Sequence, residues 1–297
     1  MFYESKWGIA YRDISEFNSN DKNRQCYKVI NSNNRYWGAD PFLIKFQGTI
    51  YLFCELMDLH KSRGMIGWCN LSLNVKPKLQ MLMDLGCHTS YPCVFSYKDD
   101  IYMIPETVAR KTVEIYTAVN FPHEWKKLGN ILENINAVDS TVYFADEIPY
   151  LFIYERNEEV NERYLWICEI DMKSYKIKNR VKLLTYYSKN GRPAGNLFFD
   201  EGGNLIRPIQ YGENFYGEKI VFNKIDDIFT DCREYPIGEL DVKSIKINRN
   251  YKIFGIHTIN RLGNLEVIDF KYNQFDLFRP FRILLKLFKI GDYRFEK

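Results

Sequence analysis

No stretch of this chain approaches the roughly 18 consecutive apolar residues that a membrane-spanning helix requires. The amino terminus, MFYESKWGIAYRD, also lacks the apolar core of about 7 to 15 residues that marks a secretory signal. These absences make the cytoplasm the expected location. Charge of one sign is scarce as well: 41 Lys and Arg stand against 38 Asp and Glu, a net +3 in 297 residues, so no nucleic-acid partner is expected. The seven cysteines (Cys26, Cys54, Cys69, Cys87, Cys93, Cys168 and Cys232) form no CxxC pair, and most lie among apolar residues. They read as reduced core thiols, with neither a metal nor a cofactor expected. A GxSxG elbow, a Walker loop, HExxH and the Rossmann glycine pattern are all missing, which excludes the sites those motifs build. Amphipathic helical stretches do not separate the strand-like runs, which argues against an α/β fold.

What is present is apolar, aromatic and repetitive. Hydrophobic residues make up 46% of the chain, with 5 Trp, 22 Tyr and 21 Phe, enough for a large core and incompatible with a disordered chain. Five segments share one outline, a polar or Pro-containing start, an apolar strand, a turn and an aromatic-rich return strand. They are ADPFLIKFQGTIYLFCE (39–55), SYPCVFSYKDDIYMIPE (90–106), VDSTVYFADEIPYLFIYE (138–155), PAGNLFFDEGGNLIRPIQ (193–210) and IHTINRLGNLEVIDF (256–270). Turns such as Gln47-Gly48 and Gly202-Gly203 make each a β-hairpin, and further strand-like sequence follows. A unit of about 50 residues with four short strands is the blade of a propeller. The expected fold is all-β: a five-bladed β-propeller over residues 1–275, the strand at residues 6–12 completing the last blade, with a short tail at 276–297. A large β-sandwich is the alternative.

Equivalent repeat positions meet at one mouth of such a ring. The start position holds Asp40, Tyr91, Asp139, Ala194-Gly195 and His257, and the position about 15 residues on holds Glu55, Glu106, Glu155 and Gln210. Carboxylates gathered in one cleft raise each other's pKa and call for protons or cations. Arg192, Arg207 and Lys189 near the fourth blade, and Arg35, Lys61 and Arg63 near the first, are the candidate cations. The plainer readings are that the Glu residues satisfy backbone amides between blades, that Asp40 makes an Asx-turn, and that the arginines only neutralise these acids. GRPAGN in the fourth repeat places small residues at Ala194, Gly195 and Asn196 between Arg192 and Arg207, a setting for a phosphate or carboxylate. His257 serves as a hydrogen-bonding wall, a ligand of a hydrated ion, or a core histidine.

The motifs WGADPF, SYPCVFSYKDDIYMIPET, FPHEW, VDST, GRPAGN with IRPIQ, YG (216–217) and GIHT together resemble the amino-terminal propeller domain of glucosamine inositolphosphorylceramide transferases and its bacterial stand-alone relatives. The likeness runs from about Trp7 to Asp269. That domain in turn looks like the five-bladed arabinanase, fructosidase and mannoside-phosphorylase propellers, in which three acids from successive blades act on sugars. The resemblance implies that Asp40 matches the first-blade base. Tyr91 stands where arabinanase-like enzymes carry Asp, and Asp139 where many carry the acid Glu, so their hydrolytic triad is not intact. In the plant transferases sugar transfer is assigned to a separate carboxy-terminal domain, and the bacterial relatives belong with surface-polysaccharide assembly.

In the tail, FRPFRILLKLFKI (278–290) sets Phe281, Leu284, Leu285 and Phe288 at helical spacing, with Arg282, Lys286 and Lys289 on another face. Such a basic amphipathic helix either lies on the inner face of an anionic membrane or packs on the propeller. The leading reading is a carbohydrate-active propeller that binds an anionic sugar or nucleotide sugar and takes part in glycosyl transfer during surface-glycan biosynthesis. Asp40 and Glu106 are its acid and base candidates and Asp139 tunes them. Arg192 and Arg207 hold the phosphate, and Trp37, Glu55, Tyr91, Asn196, Gln210 and His257 contact substrate. One alternative is a non-catalytic glycan-recognition module that docks a partner glycosyltransferase, with Tyr36, Trp37 and Tyr91 stacking on sugar faces. A glycoside hydrolase or phosphorylase is another.

Overall fold

The structure, a computed structural model, describes residues 2–14, 26–33, 35–72, 76–157, 162–182, 184–185, 191–226, 228, 233–277 and 279–280. Strands β1 (Tyr3–Asp13) and β2 (Cys26–Val29) come first and find partners only at the far end of the chain. The first blade is an antiparallel meander of β3 (Tyr36–Phe46), β4 (Thr49–Asp58), β5 (Arg63–Asn70) and β6 (Gln80–Met83). The second repeats it with β7 (Ser90–Tyr97), β8 (Asp100–Thr107), β9 (Thr112–Asn120) and β10 (Glu124–Glu133). The third consists of β11 (Ala137–Ala145), β12 (Ile148–Asn157), β13 (Glu162–Asp171) and β14 (Lys176–Lys182).

In the fourth blade β15 (Leu184–Thr185) pairs in parallel with the outer strand, and β16 (Phe198–Phe199), β17 (Leu205–Tyr211), β18 (Lys219–Ile225) and β19 (Arg233–Asp241) follow. Its first strand is reduced to β16 and a single bridge between Pro193 and Ile209, since the GRPAGN segment offers a proline and a glycine where a ladder needs regular donors. The fifth sheet contains β20 (Lys246–Ile247), β21 (Ile253–Gly255), β22 (Ile259–Leu262) and β23 (Leu265–Phe275). Here β1 lies against β23 in an unbroken register from Tyr3 opposite Phe275 to Asp13 opposite Leu265. The two ends of the propeller thus share a blade, as the sequence around residues 6–12 predicts, and the five sheets form a five-bladed β-propeller.

The core lies between blades. One cluster joins Phe42 and Phe53 of the first blade to Tyr91, Met103 and Ile104 of the second and Ile153 of the third. Because both faces of each sheet are covered, inner strands read as continuous apolar runs: Ile101 to Thr107 of β8 are all buried. Cys54, Cys69, Cys93 and Cys168 are buried free thiols and Cys26 and Cys87 are free and half-buried, while Cys232 lies outside the described residues. Of the predicted tail, residues 278 and 281–297 also lie outside them. Among the described residues no helix is long and apolar enough to cross a membrane.

One distortion recurs in three blades. Ala39 pairs with Glu55 and Phe42 with Phe53, so Asp40-Pro41 face the single residue Cys54. Tyr91-Pro92 face Pro105 and Asp139-Ser140 face Ile153 in the same way. Each is a β-bulge, and its first residue is left-handed: φ is 49° at Asp40, 45° at Tyr91 and 51° at Asp139. At the corresponding point of the fourth blade stands Gly195, with φ 128°. The displaced N–H groups are claimed by other blades. Asp40 N–H donates to Asp269 Oδ2 (3.0 Å), Tyr91 N–H to Asp40 Oδ2 (3.3 Å) and Asp139 N–H to Glu106 Oε2 (3.0 Å).

At the seam between the fifth and first blades, His257 Nε2 lies 3.1 Å from Asp40 Oδ1 and Nδ1 lies 2.8 Å from Asp269 Oδ2, the latter a charge contact rather than an aligned hydrogen bond. Burial works against the imidazolium, but Asp269 and Asp40 outweigh it and raise the pKa to about 10. A histidine that binds its proton more tightly in the fold than in the unfolded chain stabilises the fold fully below its ordinary value of about 6.5, and that contribution is lost as pH rises through about 10. The unfolding free energy from urea titrations should therefore fall between pH 6.5 and 10, with His257 contributing a slope approaching 1.4 kcal/mol per unit, about one proton. His257→Gln should be less stable at pH 6 and lack that part of the decline. Equal pH dependence in both proteins would refute the assignment.

Inside the fourth blade, the wholly buried Arg207 of β17 grips Glu234 of β19 through Nε (2.7 Å) and Nη2 (2.6 Å) and donates Nη1 to the Gly191 carbonyl (2.9 Å). Arg207→Ala strands a buried carboxylate and should cost about 3 to 5 kcal/mol in equilibrium unfolding. A loss below 1 kcal/mol would contradict this.

Candidate functional site

Hairpin register brings the start of each first strand beside the end of the second, so Asp40, Glu55, Glu106, Asp139 and His257 share one buried basin with Asp269 and Arg192. Two of its carboxylates are fully engaged. Asp40 Oδ1 accepts the Thr258 hydroxyl (2.9 Å) beside His257, and its Oδ2 accepts the Tyr91 N–H. Asp269 Oδ1 accepts the N–H groups of His257 and Thr258, each at 3.0 Å, while Oδ2 takes the Asp40 N–H. Asp40, His257 and Asp269 offer three ligand atoms close enough for one cation. The imidazolium already supplies that positive charge, so a metal ion would have to displace its proton. Asp40, the sequence's acid or base candidate, and His257, its candidate substrate contact, both hold the blade seam here.

Asp139 is held by the Nε and Nη2 of Arg192 and by Gln210 Nε2 (2.7 Å). Glu106 Oε2 accepts the Asp139 N–H and lies 3.7 Å from Arg192 Nη2. Burial, and then the Asp139 charge, push the Glu106 pKa up to about 8 against the lowering pull of Arg192. Glu55 is raised well above the carboxylate range by burial and then by Asp40, and its buried Oε1 has no hydrogen-bond partner. His88 faces it with Nε2 3.5 Å away, while the Gly64 N–H donates to His88 Nδ1 (2.9 Å). That bond puts the ring proton on Nε2, and burial lowers the His88 pKa, keeping the ring neutral. A side chain at Gly64 would collide with Glu55 Oε1. Glu106 therefore keeps its proton at neutral pH, and burial pushes Glu55 in the same direction.

Other predicted residues sit elsewhere. Tyr91 is wholly buried, its hydroxyl 2.8 Å from Thr141 Oγ1 and accepting the Gly195 N–H (2.8 Å), so it braces three blades and offers no face to a sugar. Arg207 has no free donor edge for a phosphate. Trp37 is half-buried in β3 opposite Met57, and Asn196 is half-buried with its N–H on Asn260 Oδ1 (2.7 Å). Arg35 pairs with Asp58, and Lys61 and Arg63 with Asp84; Lys189 lies outside the described residues. Glu155 is off by one residue. Val138, the equivalent of Ala39 and Ser90, pairs with Tyr154, and Glu155 on the opposite face accepts Trp166 Nε1 (2.7 Å) and pairs with Arg180.

The correct register leads to what sequence reasoning missed. Tyr154 lines a hollow of about 210 Å³ with Arg156, Arg163, Arg192, Gln210 and Tyr216. The Tyr216 ring lies 5.1 Å from His257, with the Arg192 guanidinium 5.6 Å from its centre, and Trp7 packs on His257 at 4.1 Å. Gly217, at φ 77°, passes so close to the Trp7 ring that a side chain would not fit, which explains the YG pair. Counting a constant 15 residues from Asp139 would have reached Tyr154, and with it Arg156 on the same face.

The family model described as Glucosamine inositolphosphorylceramide transferase 1, N-terminal, matches residues 2–274. Glucosamine inositolphosphorylceramide transferase 1 of Oryza sativa subsp. indica is 32% identical over 229 residues, 71% of this chain and 29% of the rice protein. Its namesake in Arabidopsis thaliana is 31% identical over 199 residues, 63% of this chain and 25% of that protein. The chain thus spans less than a third of the curated relatives it matches. Among solved structures, an α-L-arabinofuranosidase from Lactobacillus brevis superposes with a TM-score of 0.56 at 14% identity, covering 77% of this chain and 80% of that one. One from Podospora anserina, in complex with cellotriose, gives 0.58 at 10% identity, covering 89% and 97%. Those likenesses are of fold alone, whereas the sequence match extends over nearly the whole propeller, and this chain belongs to the family of glucosamine inositolphosphorylceramide transferase 1 amino-terminal domains.

Proposed function

We propose that this propeller is carbohydrate-active: it binds an anionic, activated sugar at the axial basin and takes part in glycosyl transfer in surface-glycan biosynthesis. The observation that carries the reading is Glu106, a buried acid that keeps its proton at neutral pH beside an arginine lining an accessible hollow. In that position Glu106 is the general acid. It hands its proton to the departing oxygen as the bond to the anomeric carbon breaks, while an acceptor hydroxyl oxygen bonds to that carbon and releases its proton to solvent, and Arg192 offsets the negative charge left on the leaving group. Asp139 tunes the acid by raising its pKa and orients the arginine. Glycoside hydrolysis by the two-carboxyl route needs one neutral and one ionised partner. Here Glu106 is neutral, Glu55 is shifted toward its neutral form, and both oxygens of Asp40 are engaged by hydrogen bonds, which disfavours a hydrolase.

The second reading, a glycan-recognition module that serves a partner glycosyltransferase, draws on the same engagement of Asp40. A cytoplasmic location, with the 278–290 segment on the inner membrane face near lipid-linked acceptors, belongs to the transfer reading.

Turnover of sugar 1-phosphates and nucleotide sugars separates the two. Under the transfer reading the rate is constant to about pH 7 and declines about tenfold per unit once pH passes about 8, as Glu106 loses its proton. Glu106→Gln lowers turnover by about 10² to 10⁴ and abolishes that descending limb. Ligand binding with no turnover of any donor would leave the recognition module.

A further inference from the structure

The hollow beside Arg192 contains a charge arrangement that the fold does not account for. β12 and β13 pair so that Arg156 stands directly opposite Arg163. Opposed residues of antiparallel strands project from the same face about 4.5 to 5.5 Å apart at Cβ, and like charges there destabilise the sheet. Arg163 Nη1 donates to the Glu162 carbonyl (3.0 Å), and neither guanidinium meets a carboxylate among the described residues. Tyr154, two residues before Arg156, shares their face, and all three line the hollow with Arg192.

A second observation is independent of the arginines. Gln210, only 7% exposed, also lines the hollow. Its Nε2 is fixed by Asp139 Oδ2 (2.7 Å) and the Pro193 carbonyl (2.8 Å), and its Oε1 is left without a donor. A buried acceptor in a native site is normally satisfied. Among the described residues, then, two of the hollow's guanidinium groups have no carboxylate and one buried acceptor has no donor.

We propose that the hollow is a phosphoryl subsite: Arg156 and Arg163 hold the phosphoryl group of a sugar phosphate or nucleotide sugar, and Gln210 Oε1 accepts a hydroxyl of its sugar. This rests on the reading of the protein as one that handles activated sugars, but it concerns binding and not turnover. Charge decides between oxyanions. Three arginines line the site and Asp139 neutralises one, which leaves two positive charges. A phosphate monoester carries about −1.5 to −2 at pH 7, while the carboxylate of a sugar acid carries one negative charge and leaves an arginine unmatched. Arginine also suits phosphoryl oxygens through its bidentate fork. At the rim, the Tyr211 hydroxyl engages Glu213. At about 210 Å³ the hollow is smaller than the roughly 300 to 1,000 Å³ of sites that take a whole drug-sized ligand. It fits a phosphoryl group and the adjoining edge of a sugar ring, with the exposed Tyr216 ring as a stacking face.

Calorimetry and thermal shift on the full chain test this with inorganic phosphate, glucose 1-phosphate, UDP-glucose, glucuronate and glucose. Phosphate and the two phosphorylated sugars should bind and raise the melting temperature, glucose should not, and glucuronate should bind at least tenfold more weakly than glucose 1-phosphate. Arg163→Gln and Arg156→Gln should each weaken glucose 1-phosphate binding by about tenfold to a hundredfold, the worth of a charged hydrogen bond. Without ligand, both variants should melt at or above the wild-type temperature, because each relieves like-charge repulsion; a merely structural arginine would move this readout the other way. Absence of binding by any phosphorylated probe, equal affinity for glucuronate, or unchanged affinity in both variants would overturn the proposal. Binding without turnover would count against the transfer reading and leave the subsite standing.

Discussion

The propeller depends on buried carboxylates of one blade accepting the displaced backbone N–H groups of another. Three non-glycine residues, Asp40, Tyr91 and Asp139, hold left-handed φ angles at the same point of successive blades. Each such residue costs about 1 to 2 kcal/mol, and its N–H leaves the ladder. Asp269, Asp40 and Glu106 compensate by accepting those N–H groups inside the protein, where no water competes. Ring closure and the polar centre are one construction. The seam that β1 and β23 close along their length is locked at the axis by His257 between Asp40 and Asp269.

This construction constrains the chemistry. A carboxylate with both oxygens already accepting hydrogen bonds is a poor base, so Asp40 and Asp269 are removed from proton transfer. Burial and neighbouring negative charge then push the remaining acids, Glu55 and Glu106, toward their protonated forms. His257 lies between Asp40 and Asp269, and Arg192 grips Asp139. Arg192 is the one that also reaches the accessible hollow, which makes it the link between the closed centre and any ligand.

The repeats were legible because each blade buries both faces and every hairpin carries turn residues, so strands and turns stand out at a period near 50 residues. The convergence of Asp40, Glu55, Glu106 and Asp139 followed from that period alone. What failed was resolution finer than one residue. Taking Glu155 for Tyr154 moved attention to the wrong face of β12 and hid Arg156 and Arg163, since a strand alternates its sides at every step. Arg207 misled for another reason. Its partner Glu234 comes from the outer strand β19, where no repeat motif flags it, and a guanidinium beside GRPAGN looks free until that strand is in place. The left-handed bulges carry only a faint mark, the prolines Pro41 and Pro92 that follow two of them and cannot donate to a ladder.

Fold likeness to arabinofuranosidases carries no activity with it, because function resides in particular side chains. Tyr91 shows how far this centre has diverged. The resemblance to arabinanase-like propellers would place an acid at the start of the second blade. Here a phenol occupies it, and its hydroxyl joins Thr141 of the third blade to the Gly195 N–H of the fourth. A carboxylate at that point would add a charge to an already acidic centre and could not donate to the Thr141 hydroxyl. The phenol gives up a titratable group and gains a brace across the axis, at the point where the fourth blade has almost no first strand of its own. With Tyr91 buried at the axis and Asp40 and Asp269 engaged, the centre opens to the side, where Arg192, Gln210 and Tyr216 line the hollow shared with Arg156 and Arg163.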